Sequence, residues 1–346
     1  MSTLETNSIG KYSGNNVSVD DSLNLKSYTT AQRDALSSPQ AGDTLYNSET
    51  GTIDFYDGTD WTSTGDSTFS FNCNFLVIAG GAGGRRSTSP GAGAGGYRAS
   101  WNSEASGGGA SAETILTLSK GTDYGVVVGA GGTSNGGSAT NGNDSTFATI
   151  TSTGGGTAAN NGGSGGGGGY SSDNRGFGIA NQGYNGGYGS YITSHDGSYN
   201  VGGGGGAGAT GGNSTTARGG HGGIGVVSSI TGSSVRKAGG GGGGSDSYRN
   251  DSPGNGGAGG GGNGASASSS ATAGAVNTGG GGAGGTNGGN GGVKDGSAGG
   301  SGIVIIRYPT NDATISVSAG LTSSTITYGA DTIVTFTAGN GTVSFS

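Results

Sequence analysis

The sequence predicts a mostly β and irregular protein with almost no α-helix, in which packed polyglycine II helices form a glycine-rich body bordered by short β-strands. Glycine supplies 89 of the 346 residues, where an average protein carries roughly 7 %. Hydrophobic residues make up only 29 %, too few for a conventional core in a chain of this length. Gly-Gly-X triplets recur inside the glycine tracts, and this period is that of an extended left-handed helix with three residues per turn.

Glycine density divides the chain into three parts. Residues 1–74 contain 6 glycines and residues 303–346 contain 4, whereas the stretch between them contains the other 79. Together with the strand patterns, this distribution predicts small β modules at both ends of the body. They are an N-terminal module over 1–66 and a C-terminal β segment over 309–346, with a polyglycine-helix domain over 67–308.

The N-terminal module contains a predicted β-hairpin over residues 43–61. Apolar and polar residues alternate around a glycine turn, as in a half-buried hairpin, which places four apolar side chains on the covered face: Leu45, Ile53, Phe55 and Trp61. Upstream, Thr30 is in position to cap a short helix that ends before Pro39. Residues 1–65 include nine acidic and three basic side chains, which predicts a solvated acidic face or a surface that docks onto a basic partner.

Short β-branched runs bounded by glycine predict the strands of the body. The runs are Phe75–Ala79, Thr114–Leu118, Tyr124–Val128, Phe147–Ile150, Val226–Val227 and Ile303–Ile306. The first and the last of them border the glycine tracts, and we expect these two borders to pair or pack together. In the C-terminal segment we expect three or four antiparallel strands, with Asn340-Gly341 as a hairpin turn.

The glycine tracts are expected to form an ordered lattice. A polyglycine II helix makes no hydrogen bonds within itself, so its buried N–H and C=O groups must bond neighbouring segments. Without Cβ atoms such helices approach closely. The alternative is a flexible low-complexity linker, which composition alone favours. Similar tract lengths, β-branched runs and intervening loops rich in Tyr, Arg, Asn and Asp favour order.

The sequence offers little for catalysis. Cys73 is the one cysteine, and the two histidines are His195 and His221; no set of His, Cys and carboxylates has the spacing of zinc ligands. His221 lies inside a Gly-Gly-X triplet and is expected to face outward. Phosphate-cradling glycine loops sit between a strand and a helix, and no nucleophile motif is present. We therefore expect no enzyme activity, no cofactor and no metal.

Charge and hydropathy exclude two classes of partner. Eleven basic and twelve acidic residues follow residue 65, so no basic stripe is available for phosphates and we expect no nucleic-acid binding. No apolar run approaches the roughly 20 residues of a membrane-spanning helix, so we expect no membrane insertion. The first residues show no secretory signal, which predicts synthesis in a cytoplasm without a signal peptide.

Tyrosine is concentrated in one stretch. Five of the 14 tyrosines fall within residues 170–199, beside Arg, Asn, Ser and Gly, a composition found in antibody combining sites. The candidate receptor-binding residues, taken from this stretch and from the loop 246–253, are Tyr184, Tyr188, Tyr191, His195, Asp196, Tyr199, Tyr248 and Arg249. The alternative is that these rings only cap the glycine lattice.

Four motifs in order resemble the glycine-rich domain of phage tail-fibre and virion proteins. They are Phe75–Gly84 followed by Gly91–Arg98, then Lys120–Gly132, Asn141–Phe147 and the closing Gly299–Tyr308. The segment 43–61 is similar to a short module repeated in phage tail fibres. The packed tracts also resemble the polyglycine-helix sandwich of adhesins that tip the long tail fibres of some contractile-tailed phages.

The resemblance implies a phage virion structural protein, either a tail fibre or a fibre-tip adhesin that contacts a glycan or outer-membrane receptor on the host surface. Such a protein is expected to be a homo-oligomer in the virion, with a trimer favoured, joined to other virion proteins through residues 1–65. The alternative is a structural fibre without recognition, such as a capsid or collar fibre or an extracellular glycine-rich filament. An ice-binding protein is the weaker third reading.

Overall fold

The computed structural model describes residues 24–63, 70–169, 174–189, 199–249, 251–287 and 291–346. The chain divides into two compact units, residues 1–69 and residues 70–346. Over the described residues the protein is mostly β with almost no helix, as predicted. No helix in this part of the chain is long and apolar enough to cross a membrane.

The first unit is a small β-sheet with one short helix. Its described elements are β1 (Ser27–Tyr28), α1 (Thr30–Asp34), β2 (Thr44–Asn47), β3 (Thr52–Tyr56) and β4 (Trp61–Ser63), and the strands lie in the order β1-β2-β3-β4. The N-cap of α1 is Thr29, one residue before the predicted cap, because Thr29 and Gln32 form a reciprocal capping box.

The covered face of this sheet corrects the predicted hairpin. Leu45 is buried as expected, but Ile53 and Phe55 are 42 % and 36 % exposed. The fully buried Asp54 lies opposite Leu45 in the β2–β3 register. Because side chains alternate along a strand, the burial of Asp54 turns both of its apolar neighbours to the other face.

A hydrogen-bond network makes the burial of Asp54 possible. Its carboxylate accepts bonds from Arg33 at 2.8 Å, from Asn47 at 3.0 Å and from Thr52 at 2.7 Å. Burial alone would raise the pKa of this carboxyl, but hydrogen bonds from Ser63, Thr52, Arg33 and Asn47 outweigh it and lower the pKa to about 2. The centre of this unit therefore contains the charged carboxylate of Asp54, paired with Arg33, where an apolar side chain was expected.

The second unit combines a large β-sheet with the glycine tracts. Its described strands are β5 (Ser70–Ile78), β6 (Tyr97–Ala99), β7 (Leu116–Ser119), β8 (Asp123–Val127), β9 (Ser134–Asn135), β10 (Ser138–Ala139), β11 (Ser145–Phe147), β12 (Ile150–Ser152), β13 (Val226–Ser228), β14 (Val235–Lys237), β15 (Ile303–Pro309), β16 (Ile315–Val317), β17 (Leu321–Tyr328) and β18 (Asp331–Phe345). Two 3₁₀ turns span Trp101–Ser103 and Gly107–Gly109.

The large sheet joins the two borders of the glycine body. Its main path is β12-β11-β8-β18-β15-β5-β6, with β16 and β17 on β18 and β7 on β5. Strands β5 and β15 pair antiparallel, with Ile78 opposite Ile303, which confirms that the two borders meet. The sheet curls until β12 approaches β5, where the Ser152 hydroxyl donates to the Val77 carbonyl at 2.7 Å.

Both faces of this sheet are buried at β15 and at the adjoining residues Phe75–Ile78 of β5. On β15, Val304 and Ile306 belong to an apolar cluster with the aromatic side chains Phe71, Phe75, Phe147, Tyr308, Phe336 and Phe345. The alternate residues Ile303 and Ile305 belong to a second cluster, which includes three alanines of the glycine tracts: Ala94, Ala207 and Ala238. The tracts therefore pack onto the sheet through the few methyl groups that they carry.

The C-terminal residues continue the same sheet, and one predicted turn is wrong. Asn340 and Gly341 lie inside β18, where they pair with Val127 and Val126 of β8. The hairpin turn occurs instead at Gly329, at a φ of +63°, between β17 and β18. Gly339, at a φ of +107°, precedes the point where β18 changes partner from β15 to β8, so the Asn-Gly pair follows a bend in a strand.

The glycine tracts form a hydrogen-bonded lattice with three-fold periodicity. The amides of residues 91–96 donate in turn to the carbonyls of Gly202, Gly282, Gly156, Gly205, Gly279 and Thr153, at 2.8–3.0 Å. Residues three apart therefore bond the same neighbouring segment, whereas consecutive residues bond three different segments. This is the pattern expected of a helix with three residues per turn and no internal hydrogen bonds.

Close approach explains why the lattice needs glycine. A Cβ added at Gly166 would lie far closer than 3.0 Å to the carbonyl of Thr157, and the same overlap with neighbouring backbone recurs at most lattice glycines. Gly166 does not have a positive φ, so its conformation would suit any residue. Gly169, in the same tract, has nothing within 4 Å of the added Cβ.

We predict that Gly166→Ala lowers the free energy of unfolding by about 2 kcal/mol or more, because overpacking a dense interior forces backbone shifts. Gly169→Ala is the matched control and should stay within about 0.5 kcal/mol of the wild type. Chemical denaturation of the purified full chain measures both values. Equal stability of the two variants would contradict the close-packed lattice.

Candidate recognition surface at the loop end of the glycine lattice

Loops of the second unit gather at the end of the lattice that lies away from the sheet. The loop 85–90 connects a tract that leaves β5 to a tract that enters β6. The Gly244 amide donates to the carbonyl of Ser89, and the Gly285 amide donates to that of Arg85, so the loops that follow them lie at the same end. We call four loops the distal loops: residues 85–90, 213–218, 245–253 and 286–294, of which 250 and 288–290 lie outside the described part.

Asn200 is the centre of the contacts among these loops. Its side chain is fully buried. Its Nδ2 group donates to the carbonyl of Thr215 at 3.0 Å and to the carboxylate of Asp251 at 2.8 Å, while its Oδ1 accepts the amide of Asp246 at 3.0 Å. One amide side chain therefore joins segments that are far apart in the sequence. A buried polar group that makes all of these hydrogen bonds holds the bonded segments in place.

A second set of bonds extends this network to the last distal loop. The buried Asp246 accepts the amide of Tyr248 at 3.0 Å. The Ser247 hydroxyl donates to the carbonyl of Asn287 at 2.7 Å, and the Asn287 side-chain amide donates to Asp246 at 3.3 Å. The backbone at Tyr248 is thus bonded to Asp246 directly and to Asn287 through Ser247. The Tyr248 side chain itself is 64 % exposed.

Three of the candidate tyrosines lie around this network. Tyr199 precedes Asn200 and is 40 % exposed, while Tyr248 stands next to the exposed Arg249. Tyr188 is half-buried. It connects to the same end of the lattice through Ser214, whose amide donates to the Tyr188 carbonyl and whose hydroxyl donates to the Asn200 carbonyl, both at 3.0 Å.

The Tyr188 ring already carries a cation. The guanidinium of Arg175 lies 4.0 Å from the ring centroid and donates to the carbonyl of Gly186 at 3.1 Å. A cation over an aromatic face is a favourable contact. It covers one face of Tyr188, so this ring is less accessible than those of Tyr199 and Tyr248.

Tyr184 is not brought together with the other candidates. Its amide donates to the carbonyl of Gly206, and its carbonyl accepts the amide of Gly165, so its backbone belongs to the lattice. Its hydroxyl lies beside Gly109, in a turn near the sheet. Three further candidates, Tyr191, His195 and Asp196, lie outside the described residues.

The network residues themselves escaped sequence reasoning. Asn200 and Asp246 are buried, whereas the residues that the sequence pattern indicates are their exposed neighbours Tyr199, Tyr248 and Arg249. The available signal is position, since Asn200 lies two residues before the tract 202–206 and Asp246 lies two residues after the tract 239–244. A side chain that satisfies backbone groups is expected where a tract ends and its lattice bonds stop.

His221 contacts the lattice backbone. Its Nδ1 accepts the amide of Asn255 at 2.8 Å. Burial lowers the pKa of His221, and the nearby Arg218 lowers it further, so the neutral form that accepts this bond is favoured. The ring therefore serves as a hydrogen-bond acceptor within the lattice.

The distal surface offers aromatic rings and hydrogen-bonding groups on a fixed backbone. Tyr199, Tyr248 and Arg249 can stack on a flat ligand face and donate hydrogen bonds at its edge. Within the described residues, no group of three or more His, Cys, Asp or Glu side chains is arranged to hold a metal ion. The exposed rings and the hydrogen-bonding groups beside them are suited to binding a ligand.

Comparison with known protein families identifies a glycine-rich region. A family model described as a glycine-rich domain matches residues 57–309, which include the glycine tracts and strands β5–β15. Curated proteins give no match to the chain.

We predict that Asn200→Ala loosens the distal loops while leaving the lattice intact, because it removes hydrogen bonds to the buried Asp246, the half-buried Asp251 and the exposed Thr215, at about 1–3 kcal/mol. Hydrogen exchange should accelerate at least tenfold for the amides of 245–249 and remain unchanged for those of 91–96. Asn135→Ala, an exposed position in the hairpin β9–β10, is the control. Unchanged exchange in the Asn200 variant would show that the network does not order the loops.

Proposed function

We propose that this chain, which belongs to the glycine-rich domain family, is a non-catalytic phage virion protein, a tail fibre or fibre-tip adhesin whose distal loops contact a host surface glycan or outer-membrane receptor. The observation that carries the proposal is the buried Asn200 network, which holds exposed Tyr199 and Tyr248 on one rigid end of the lattice. The phage setting is supported by the sequence motifs described above.

Preorganisation supports a binding role for the distal loops. Loops that are mobile before binding lose conformational entropy when they bind, which reduces affinity. Here the tracts on either side of each loop are bonded into the lattice, and Asn200 and Asp246 join the loops to one another. Sequence changes in exposed loop positions would alter specificity without disturbing the backbone bonds beneath.

The side chains on this surface suit a carbohydrate ligand. Sugar rings present apolar faces that pack on aromatic rings, and hydroxyl groups that bond amides, carboxylates and guanidinium groups. Tyr199 and Tyr248 supply the rings, while Arg249 and Asp251 supply polar groups close by. We propose that the receptor is a glycan and that binding does not require the glycan to carry a charge.

A second part of the proposal is assembly through the N-terminal unit. On the outer face of β2 and β3, Tyr46 and Phe55 are 40 % and 36 % exposed, and Tyr46 lies opposite Ile53 in the register. A sheet of four short strands is marginal without further burial. We propose that this face packs against other copies of the chain in a trimer on the virion. The same N-terminal unit would join the trimer to other virion proteins.

We predict that Tyr199→Ala with Tyr248→Ala lowers binding of the purified full chain to receptor-bearing cells at least tenfold, because the stacking surfaces are lost. Thermal unfolding should change little, since both side chains are exposed. Phe177→Ala, which removes another exposed ring, is the matched control and should bind like the wild type. Unchanged binding by the double variant would contradict recognition, and loss of folded protein would favour rings that only cap the lattice.

We predict further that the full chain is a trimer in solution and that Tyr46→Ser with Phe55→Ser reduces it to monomers, because the apolar face is lost. Multi-angle light scattering after size exclusion measures the mass. Ile326→Ser, at an exposed position of β17, is the control and should remain trimeric. A wild-type chain that is monomeric at micromolar concentration would contradict this assembly.

A further inference from the structure

The first unit contains a pocket that neither the recognition surface nor the proposed trimer face uses. It has a volume of about 600 Å³ and lies between the end of α1 and the β3–β4 hairpin. Its apolar lining consists of half-buried Leu36, Pro39, Tyr56 and Trp61. Tyr56 points to the face of the sheet opposite Phe55, so the pocket and the trimer face are on different sides.

Two aromatic rings form a corner of this pocket. Tyr56 and Trp61 lie opposite each other in the β3–β4 register. Their ring centroids are 5.5 Å apart and their planes make an angle of 57°. The Tyr56 hydroxyl donates to the carbonyl of Thr59 at 3.0 Å, which holds the ring in place. Tilted rings of this kind offer ring faces to a cation, and Trp offers the strongest such face.

The rim of the pocket is acidic. Asp34 and Asp60 line it, and the Asp34 side chain is 56 % exposed. Arg33, the one basic residue among the described residues of the lining, is already engaged, since it donates to Asp34 at 2.8 Å and to the buried Asp54 at 2.8 Å. The pocket therefore keeps a net negative charge. An anionic ligand would be repelled, whereas a cationic one would be attracted.

We propose that this pocket binds a lysine or arginine side chain presented by a partner polypeptide. The apolar stem of that side chain would pack against Leu36 and Pro39. Its cation would lie over the Trp61 and Tyr56 rings and beside the carboxylates of Asp34 and Asp60. Long basic side chains combine an apolar stem with a charged end, and the pocket combines apolar walls with an acidic rim. Binding at this pocket does not depend on what the distal loops recognise.

A peptide titration tests the proposal in the full chain. The probes are acetyl-Gly-Ser-Lys-Ser-Gly-amide, its arginine analogue and its norleucine analogue, which keeps the stem and lacks the charge. The chain has two tryptophans, so the indole N–H resonances report separately on Trp61 and on Trp101. Trp101, whose indole donates to the Ser229 hydroxyl at 3.1 Å in the other unit, is the internal control.

We expect the lysine and arginine peptides to shift the Trp61 resonance and leave that of Trp101 unchanged. The norleucine peptide should bind at least fivefold more weakly. Asp34→Asn with Asp60→Asn should weaken the basic peptides at least fivefold. The control is Asp123→Asn with Asp312→Asn, an equal change of charge at exposed positions of the second unit. It should leave the binding of the basic peptides unchanged. Equal binding of all three peptides, a double variant that binds like the wild type, or an unshifted Trp61 would overturn the proposal.

One further variant separates a partner from the chain itself. Residues 1–23 contain a single lysine, Lys11. If Lys11→Met shifts the Trp61 resonance without any peptide, the pocket is occupied by the protein's own N-terminal segment and the proposal of a partner is overturned. An unchanged Trp61 resonance in this variant supports a pocket that is open to a partner.

Discussion

The absence of Cβ atoms where neighbouring backbones meet is the constraint on which this protein depends. Central lattice segments such as 91–96 bond three neighbours through successive residues, and the segments approach so closely that an added methyl group would overlap a carbonyl. Each such bond contributes about 1 kcal/mol net, whereas ordering a backbone residue costs about 1–2 kcal/mol, most of all for glycine. Hydrogen bonds alone therefore do not stabilise the lattice.

The sheet supplies what the lattice lacks. Strands β5 and β15, at the two borders of the glycine body, pair with each other and bury apolar clusters on both faces. This pairing fixes the ends of the lattice, and alanines such as Ala94 and Ala207 attach the tracts to the sheet. The opposite end is left to loops, whose contacts run through Asn200 and Asp246. The loops are therefore held at one end of a hydrogen-bonded body.

The sequence indicates the lattice and the border strands because both depend on short-range patterns, the glycine triplets and the β-branched runs. Features that depend on partners distant in sequence are less predictable. Asp54 is buried because Arg33 reaches it from α1, and Asn340-Gly341 lies within β18 because β8 pairs there. Tyr184 fits the composition of its stretch but belongs to the lattice. Asn200 carries no local signal beyond its place beside a tract, so its role required the fold.

Hydrogen exchange of the glycine amides tests the central claim most directly. In an ordered lattice, amides such as those of Gly93, Gly204 and Gly241 are bonded to three different segments and open only with the whole unit, so exchange should be at least about 10³-fold slower than in an unstructured chain. Glycine-selective labelling of the full chain resolves these sites. Exchange at the rate of an unstructured peptide throughout residues 200–244 would contradict the lattice.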